Sequence, residues 1–268
     1  MDWNKTKTIF IIVFSILNVF LYIQYLESYT EGQNVEELGE KNVEAKLKED
    51  GITYEVLPKA IDQAAYISGK VKSFDTNMIS SKKSYTYQIE NGHTLIATLK
   101  SPYPTDKITE ESLKQFVQTQ VDAGASYTLW ELNKKEQTAL FFQQEENYTL
   151  YYNRRGFVKV YYNSRNEIYM YEQAMLEDLE KLDRQKNLLP PIQVIHALYA
   201  RNLLKSDSHV TSMKLGYSTV VQLTQTQVLV PTWEVHVKTA DGHEEEYFVN
   251  AVEGKVIDMQ LEVEDLEE

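Results

Sequence analysis

Three short clusters of Ser, Asp and Lys carry the sharpest hint of chemistry in this 268-residue sequence. Ser80-Ser81-Lys82-Lys83 fits S-x-x-K, a Ser nucleophile with a Lys amine one helical turn further on. Ser206-Asp207-Ser208 stands where S-D-N would follow, and Lys238-Thr239-Ala240 where K-T-G would follow. That order is the order of a penicillin-binding-type serine acyltransferase. The details go against it. The Ser80 segment precedes strand-like sequence, not a helix that would aim the hydroxyl. Ser208 lacks the amide of Asn, and Ala240 sets a methyl group where Gly lets backbone approach a substrate. No catalytic residue is assigned.

The five His residues (His93, His196, His209, His236 and His243) are dispersed. His243-Glu244-Glu245-Glu246 offers cation ligands, yet the H-E-x-x-H spacing that aligns two imidazoles on one helix face is absent. Beside a turn, these acids suit a solvated strand edge, where charge discourages edge-to-edge pairing. His196 follows the apolar pair Val194-Ile195 on a predicted helix and suits a structural role. Glu110-Glu111 suit the first turn of a helix, and Glu145-Glu146 a turn. There is no Gly-rich phosphate loop, and neither a cofactor nor a metal site is expected.

Composition narrows the classes further. The absence of Cys removes disulfides, thiol nucleophiles and Cys-based metal sites together. The net charge is −13; residues 1–26 hold Asp2, Lys5 and Lys7, a net of +1, so the remainder carries −14. Such an exterior excludes nucleic acid as the expected partner, because phosphate recognition needs Lys and Arg. It does not suit docking onto anionic lipid either.

The elements begin with Thr8 to Leu26, TIFIIVFSILNVFLYIQYL, which has no charge. At ~1.5 Å per residue it reaches roughly 28 Å, close to the ~30 Å of bilayer hydrocarbon. Lys5 and Lys7 precede it while Glu27 and Glu31 follow, which places the N-terminus in the cytoplasm and the rest outside. A cleaved signal peptide would end in small residues, whereas this stretch ends in Ile23-Gln24-Tyr25-Leu26-Glu27. Ser15, Asn18 and Tyr22 are spaced i, i+3, i+7 and share one helix face. An amide near mid-membrane needs a partner, so these three residues are the expected transmembrane interaction site.

Residues 27–50 read as a solvated stalk, with Val35, Leu38, Val43 and Leu47 spaced for a weak amphipathic helix. Asn91-Gly92 between Tyr85–Ile89 and His93–Leu99 predicts a hairpin, which Pro102 and Pro104 should end. Thr109 should cap a helix with Leu113, Phe116, Val117 and Val121 on one face, closed by Gly124. Strands Tyr127–Leu132, Thr138–Gln143, Tyr148–Asn153 and Phe157–Asn163 should form a meander, the last two joined through Arg154-Arg155-Gly156. Residues 169–182 suit helix and strand equally. Pro190-Pro191 starts a helix. Strands Thr211–Tyr217, Val220–Val230, Trp233–Lys238, Glu244–Asn250 and Lys255–Glu262 should follow.

The opening Met1-Asp2-Trp3-Asn4-Lys5-Thr6-Lys7-Thr8-Ile9-Phe10, the segment Leu47-Lys48-Glu49-Asp50-Gly51-Ile52-Thr53-Tyr54 and Leu215-Gly216-Tyr217 resemble the YycI (WalI) family of Gram-positive bacteria. The C-terminal helix and meander, ending in Val249-Asn250-Ala251-Val252-Glu253-Gly254-Lys255-Val256, resembles a PepSY-type module. The first resemblance implies a non-catalytic, membrane-anchored regulator of the sensor histidine kinase YycG (WalK), which controls cell-wall metabolism. It implies a YycH-like partner and contacts through both the membrane helix and the exterior. The second implies an extracellular inhibitor or ligand sensor as the alternative.

The expected fold class is α+β: one transmembrane helix, then extracellular antiparallel meanders each packed with a helix. The expected parts are a cytoplasmic tail 1–7, a lipid-embedded helix 8–26, a stalk 27–50, and α+β subdomains 51–186 and 187–268.

Overall fold

The computed structural model describes residues 7–8, 10–24, 40–75, 84–222 and 225–259. The Ser80–Lys83 cluster, Val35, Leu38 and the acidic tail from Glu262 lie outside the described residues. Residues 7–8 and 10–24 are helical (α1), and all of these side chains are exposed. Among the described residues no helix is both long and apolar enough to cross a membrane.

The elements after α1 are α2 (Glu40–Glu49), β1 (Thr53–Tyr54), β2 (Gln63–Val71), β3 (Tyr85–Glu90), β4 (Thr94–Pro104) and α3 (Glu110–Gln120). Then come β5 (Tyr127–Asn133), β6 (Thr138–Glu145), β7 (Tyr148–Tyr151), β8 (Phe157–Tyr162), β9 (Glu167–Ala174) and β10 (Leu176–Asn187). The chain closes with α4 (Pro191–Ala200), β11 (His209–Gln222), β12 (Thr226–Lys238), β13 (Glu244–Asn250) and β14 (Val256–Ile257). This is a mixed α+β fold, dominated by a sheet whose main path is β10-β2-β12-β11-β7-β6-β8-β9-β4-β3.

Two cores flank the short strand β7. In one, α3 lays Leu113, Phe116 and Val117 against Phe141, Val158, Val160 and Ile168. Thr109 caps α3 as its sequence suggests: its hydroxyl accepts from Ser112 N at 3.2 Å, and Ser112 Oγ accepts from Thr109 N at 3.0 Å. In the other core, Val194, Ile195 and Leu198 of α4 meet Val210, Trp233, Val235 and Val249. Between the cores, β7 pairs antiparallel with β6 (Gln144↔Thr149, Glu145↔Tyr148) and parallel with β11 (Tyr217↔Leu150, Ser218↔Tyr151).

Several elements differ from their sequence reading. The stalk ends earlier than residue 50, because Leu47 of α2 is buried with Ile52 in the α4 core. Pro102 does not end β4, since a register shift after Thr98 lets the strand resume at Tyr103↔Ile168, and the strand ends at Pro104. Residues 169–182 are strand. β10 is charged on both sides because it lies at a sheet edge, bonded to β2 alone among the described strands.

The expected strand Val220–Val230 is instead divided between the end of β11 and the start of β12, which pair antiparallel. β7 and β8 do not pair, since β6 takes β8. The link between β7 and β8 is drawn away by Asn153, whose Nδ2 donates to Thr219 Oγ1 and Gln227 Oε1, both at 2.7 Å. Gly124 serves close approach rather than a helix cap: a Cβ there would sit 1.9 Å from Val117 O. The sheet does not divide at residue 186 either, because β2 lies between β10 and β12.

Candidate functional site

Two features stand out from the fold. The first is α1. At ~100° per residue, Ser15, Asn18 and Tyr22 fall within an arc of about 60°. All three are exposed, among equally exposed Phe10, Phe14, Leu17 and Leu21. The structure thus brings the three expected site residues to one helix face.

The second is built on the β12–β13 hairpin. Asp241-Gly242 make the turn: Gly242 has φ 88, and Thr239 N donates to His243 O at 2.9 Å. This register sets His236 opposite Glu246 and Glu234 opposite Phe248. The strand period of two then sends Glu234 and His236 to the same face. His236 Nε2 is in contact with Glu234 Oε1 and lies 3.3 Å from Glu246 Oε1. Glu234 is only 3% exposed. The Tyr151 hydroxyl is also near: burial, with the Glu234 charge adding, raises its pKa.

Aromatic rings form the wall. Trp130, Tyr151, Tyr152 and Phe248 meet with centroids 5.1–6.4 Å apart. Trp130 Nε1 donates to Tyr152 Oη at 3.3 Å, and Tyr152 Oη donates to Glu246 Oε2 at 3.4 Å. Tyr152 keeps this place with φ 47, an uncommon conformation for a large side chain. Burial, with the Glu246 charge adding, pushes the Tyr152 hydroxyl up to about 12. The hydrogen bond to Glu234 holds His236 above the usual imidazole range, against burial. Burial raises Glu246, helped by Glu234 and opposed by His236. A cleft of 440 Å³ opens beside Glu246, lined also by Tyr152, Leu203, Phe248, Ile257 and Met259.

Sequence reasoning missed this cluster. It considered His243-Glu244-Glu245-Glu246 as a local run, whereas His243 is exposed at the turn and Glu246 faces a different His. The available signal was the turn: a hairpin centred on Asp241 pairs residue 236 with residue 246. The acyltransferase motif is not assembled among the described residues. Ser208 is buried with its Oγ unpaired there, and Lys238 pairs with His209 in the β11–β12 ladder. The remaining His residues serve the framework. His93 Nδ1 lies 3.1 Å from Lys72 O, and His209 Nδ1 lies 2.8 Å from Thr53 Oγ1.

The described residues form a mixed α+β domain that follows an apolar helix. The chain belongs to the YycI family: the model of that family, described as YycI protein, matches residues 31–252. Members are membrane-associated regulators in the YycG/WalK two-component system, and the family is not known for catalysis. An uncharacterized protein from Eubacterium rectale ATCC 33656 is similar in structure, with a TM-score of 0.48 and 10% identity over 79% of this chain and 92% of its own. The Bacillus megaterium YpeB C-terminal domain gives a TM-score of 0.40 and 13% identity over 82% of this chain and 94% of its own. No curated protein matches the chain.

Proposed function

We propose that this protein is a non-catalytic, single-pass membrane regulator of a YycG/WalK-type sensor histidine kinase, acting with a YycH-like partner. In this proposal residues 1–7 are cytoplasmic, residues 8–26 are the anchor, and the domain from 27 onward is extracellular. The observation that carries it is α1. It is uncharged from residue 8 to 26, its described side chains are exposed on all sides, and one face holds Ser15, Asn18 and Tyr22. Lipid accounts for the apolar sides. The polar face calls for a second helix, because an amide in hydrocarbon needs a hydrogen-bond partner. Such a contact regulates only if it favours one kinase state over the other.

Purification of the full-length protein from its native membranes tests this. A sensor kinase and a YycH-like protein should be recovered with it. Asn18→Leu should leave the protein in the membrane and reduce kinase recovery; at ~0.6–2 kcal/mol per interhelical hydrogen bond, the loss is roughly 3- to 30-fold. Unchanged recovery would remove the helix face as the contact. Recovery of an extracellular peptidase in place of a kinase would favour the PepSY-like inhibitor.

A further inference from the structure

We propose that Glu234, His236 and Glu246 form a binding site for one zinc-class divalent cation, open to the cleft beside Glu246. The proposal stands apart from the kinase reading, since it concerns only the exterior hairpin.

Geometry is the first support. One ligand atom from each of the three residues lies within 4.8 Å of the others. A zinc ion with bonds of ~2.1 Å at tetrahedral to octahedral angles holds its ligand atoms about 3.0–3.4 Å apart. His236 Nε2 and Glu246 Oε1 are 3.3 Å apart. Glu234 Oε1 touches the same Nε2, so the three ligand atoms form one cluster, in which Glu234 and His236 must part to admit the ion. The ion would replace the direct contact between His236 and Glu234.

Charge is the second support. Two carboxylates and a neutral imidazole sum to −2, which a divalent cation cancels. A protonated His236 cancels only half of that. A further cation, Lys214, lies opposite Glu234 in the β11–β12 ladder, and its side chain is exposed. Glu234 itself is nine-tenths and more buried, where an uncompensated charge is costly.

Ligand chemistry selects the ion. Calcium and magnesium take oxygen ligands, whereas an imidazole suits a first-row transition ion. Thiolates, which favour copper(I), are absent from the sequence. The surroundings match as well. Tyr152 Oη hydrogen-bonds the Glu246 carboxylate, and such outer bonds orient ligands around a metal. The side chains of His236 and Glu246 are 37% and 25% exposed, so the ion has a way in and an open coordination position.

Isothermal titration of the full-length chain in detergent micelles with zinc chloride is the test. The expected result is one saturable equivalent that calcium does not displace, with a higher melting temperature in the loaded protein. His236→Gln and Glu246→Gln should each weaken binding at least tenfold, while Glu253→Gln should leave it unchanged. X-ray absorption at the zinc edge of the wild-type complex needs no variant to fold, and should show one imidazole among oxygen neighbours. No saturable binding, unchanged affinity in both site variants, or an all-oxygen shell would overturn the proposal. The last two outcomes would assign the heat to acidic groups elsewhere.

Discussion

Among single residues, His196 shows how burial sets protonation. It lies on α4 within the core; burial lowers its pKa, and Lys46 of α2 lowers it further. Its Nδ1 has no hydrogen-bond partner among the described residues. The folded state therefore takes up a proton less readily than the unfolded chain, which protonates near 6.5. Above that pH both states are neutral and its contribution to stability is complete. Below it only the unfolded chain gains the proton, and stability is lost as pH falls toward the lowered folded value. His236 has a raised pKa and acts with the opposite sign, so the test must be differential. The urea midpoint should fall less between about pH 7.5 and pH 5.5 in His196→Gln than in the wild type. An equal fall would show that His196 is not the group held neutral. The sequence placed His196 in a structural role from its apolar neighbours. It could not place His236, whose partner Glu246 is ten residues away and joins it only through hairpin register.

At the level of elements, β7 holds the two parts of the sheet together through two residue pairs on each side. Gly216 makes the β11 side possible. A Cβ there would lie 2.4 Å from the Tyr151 ring and 2.5 Å from Thr149 O. Tyr151 is itself buried, so neither neighbour can yield cheaply. Gly216→Ala should destabilise the protein by ~1–3 kcal/mol, as overpacking of a dense core does, read as a lower urea midpoint. An unchanged midpoint would mean that the junction is loose. This need was unreadable from the sequence, where Leu215-Gly216-Tyr217 looks like ordinary strand. Local signals fared better. The capping residue Thr109, the Asn91-Gly92 turn and the Pro191 helix start each act within a few residues and were all legible. β10 was not. Its charges suit an exposed helix as well as a sheet edge, and only pairing with β2 decides between them.

For the whole molecule, the chain is interleaved. α2, β1 and β2 precede the α3 half of the sheet in sequence yet join the half made by α4 and β11–β14. A fragment of residues 187–268 therefore lacks Leu47, Ile52 and the strand that covers β12 at Gln227–Leu229. It should show no cooperative unfolding transition in the near-ultraviolet signal of Trp233, whereas the full chain should. Cooperative unfolding of the fragment would show that the C-terminal half is self-sufficient. Such long-range exchange of strands leaves no trace in local periodicity, which is why a boundary near 186 looked natural in the sequence.

The early burial of Leu47 has a mechanical meaning. In the proposed topology, tension carried up the chain from α1 meets a fixed point at α2, which is clamped in the α4 core. Load therefore enters the half that carries Glu234, His236 and Glu246, and reaches the other half through β7 and through the β9–β10 link. A pull at the bilayer would strain the hairpin cluster before it strained the α3 half, which makes the two halves unequal listeners to the same tug.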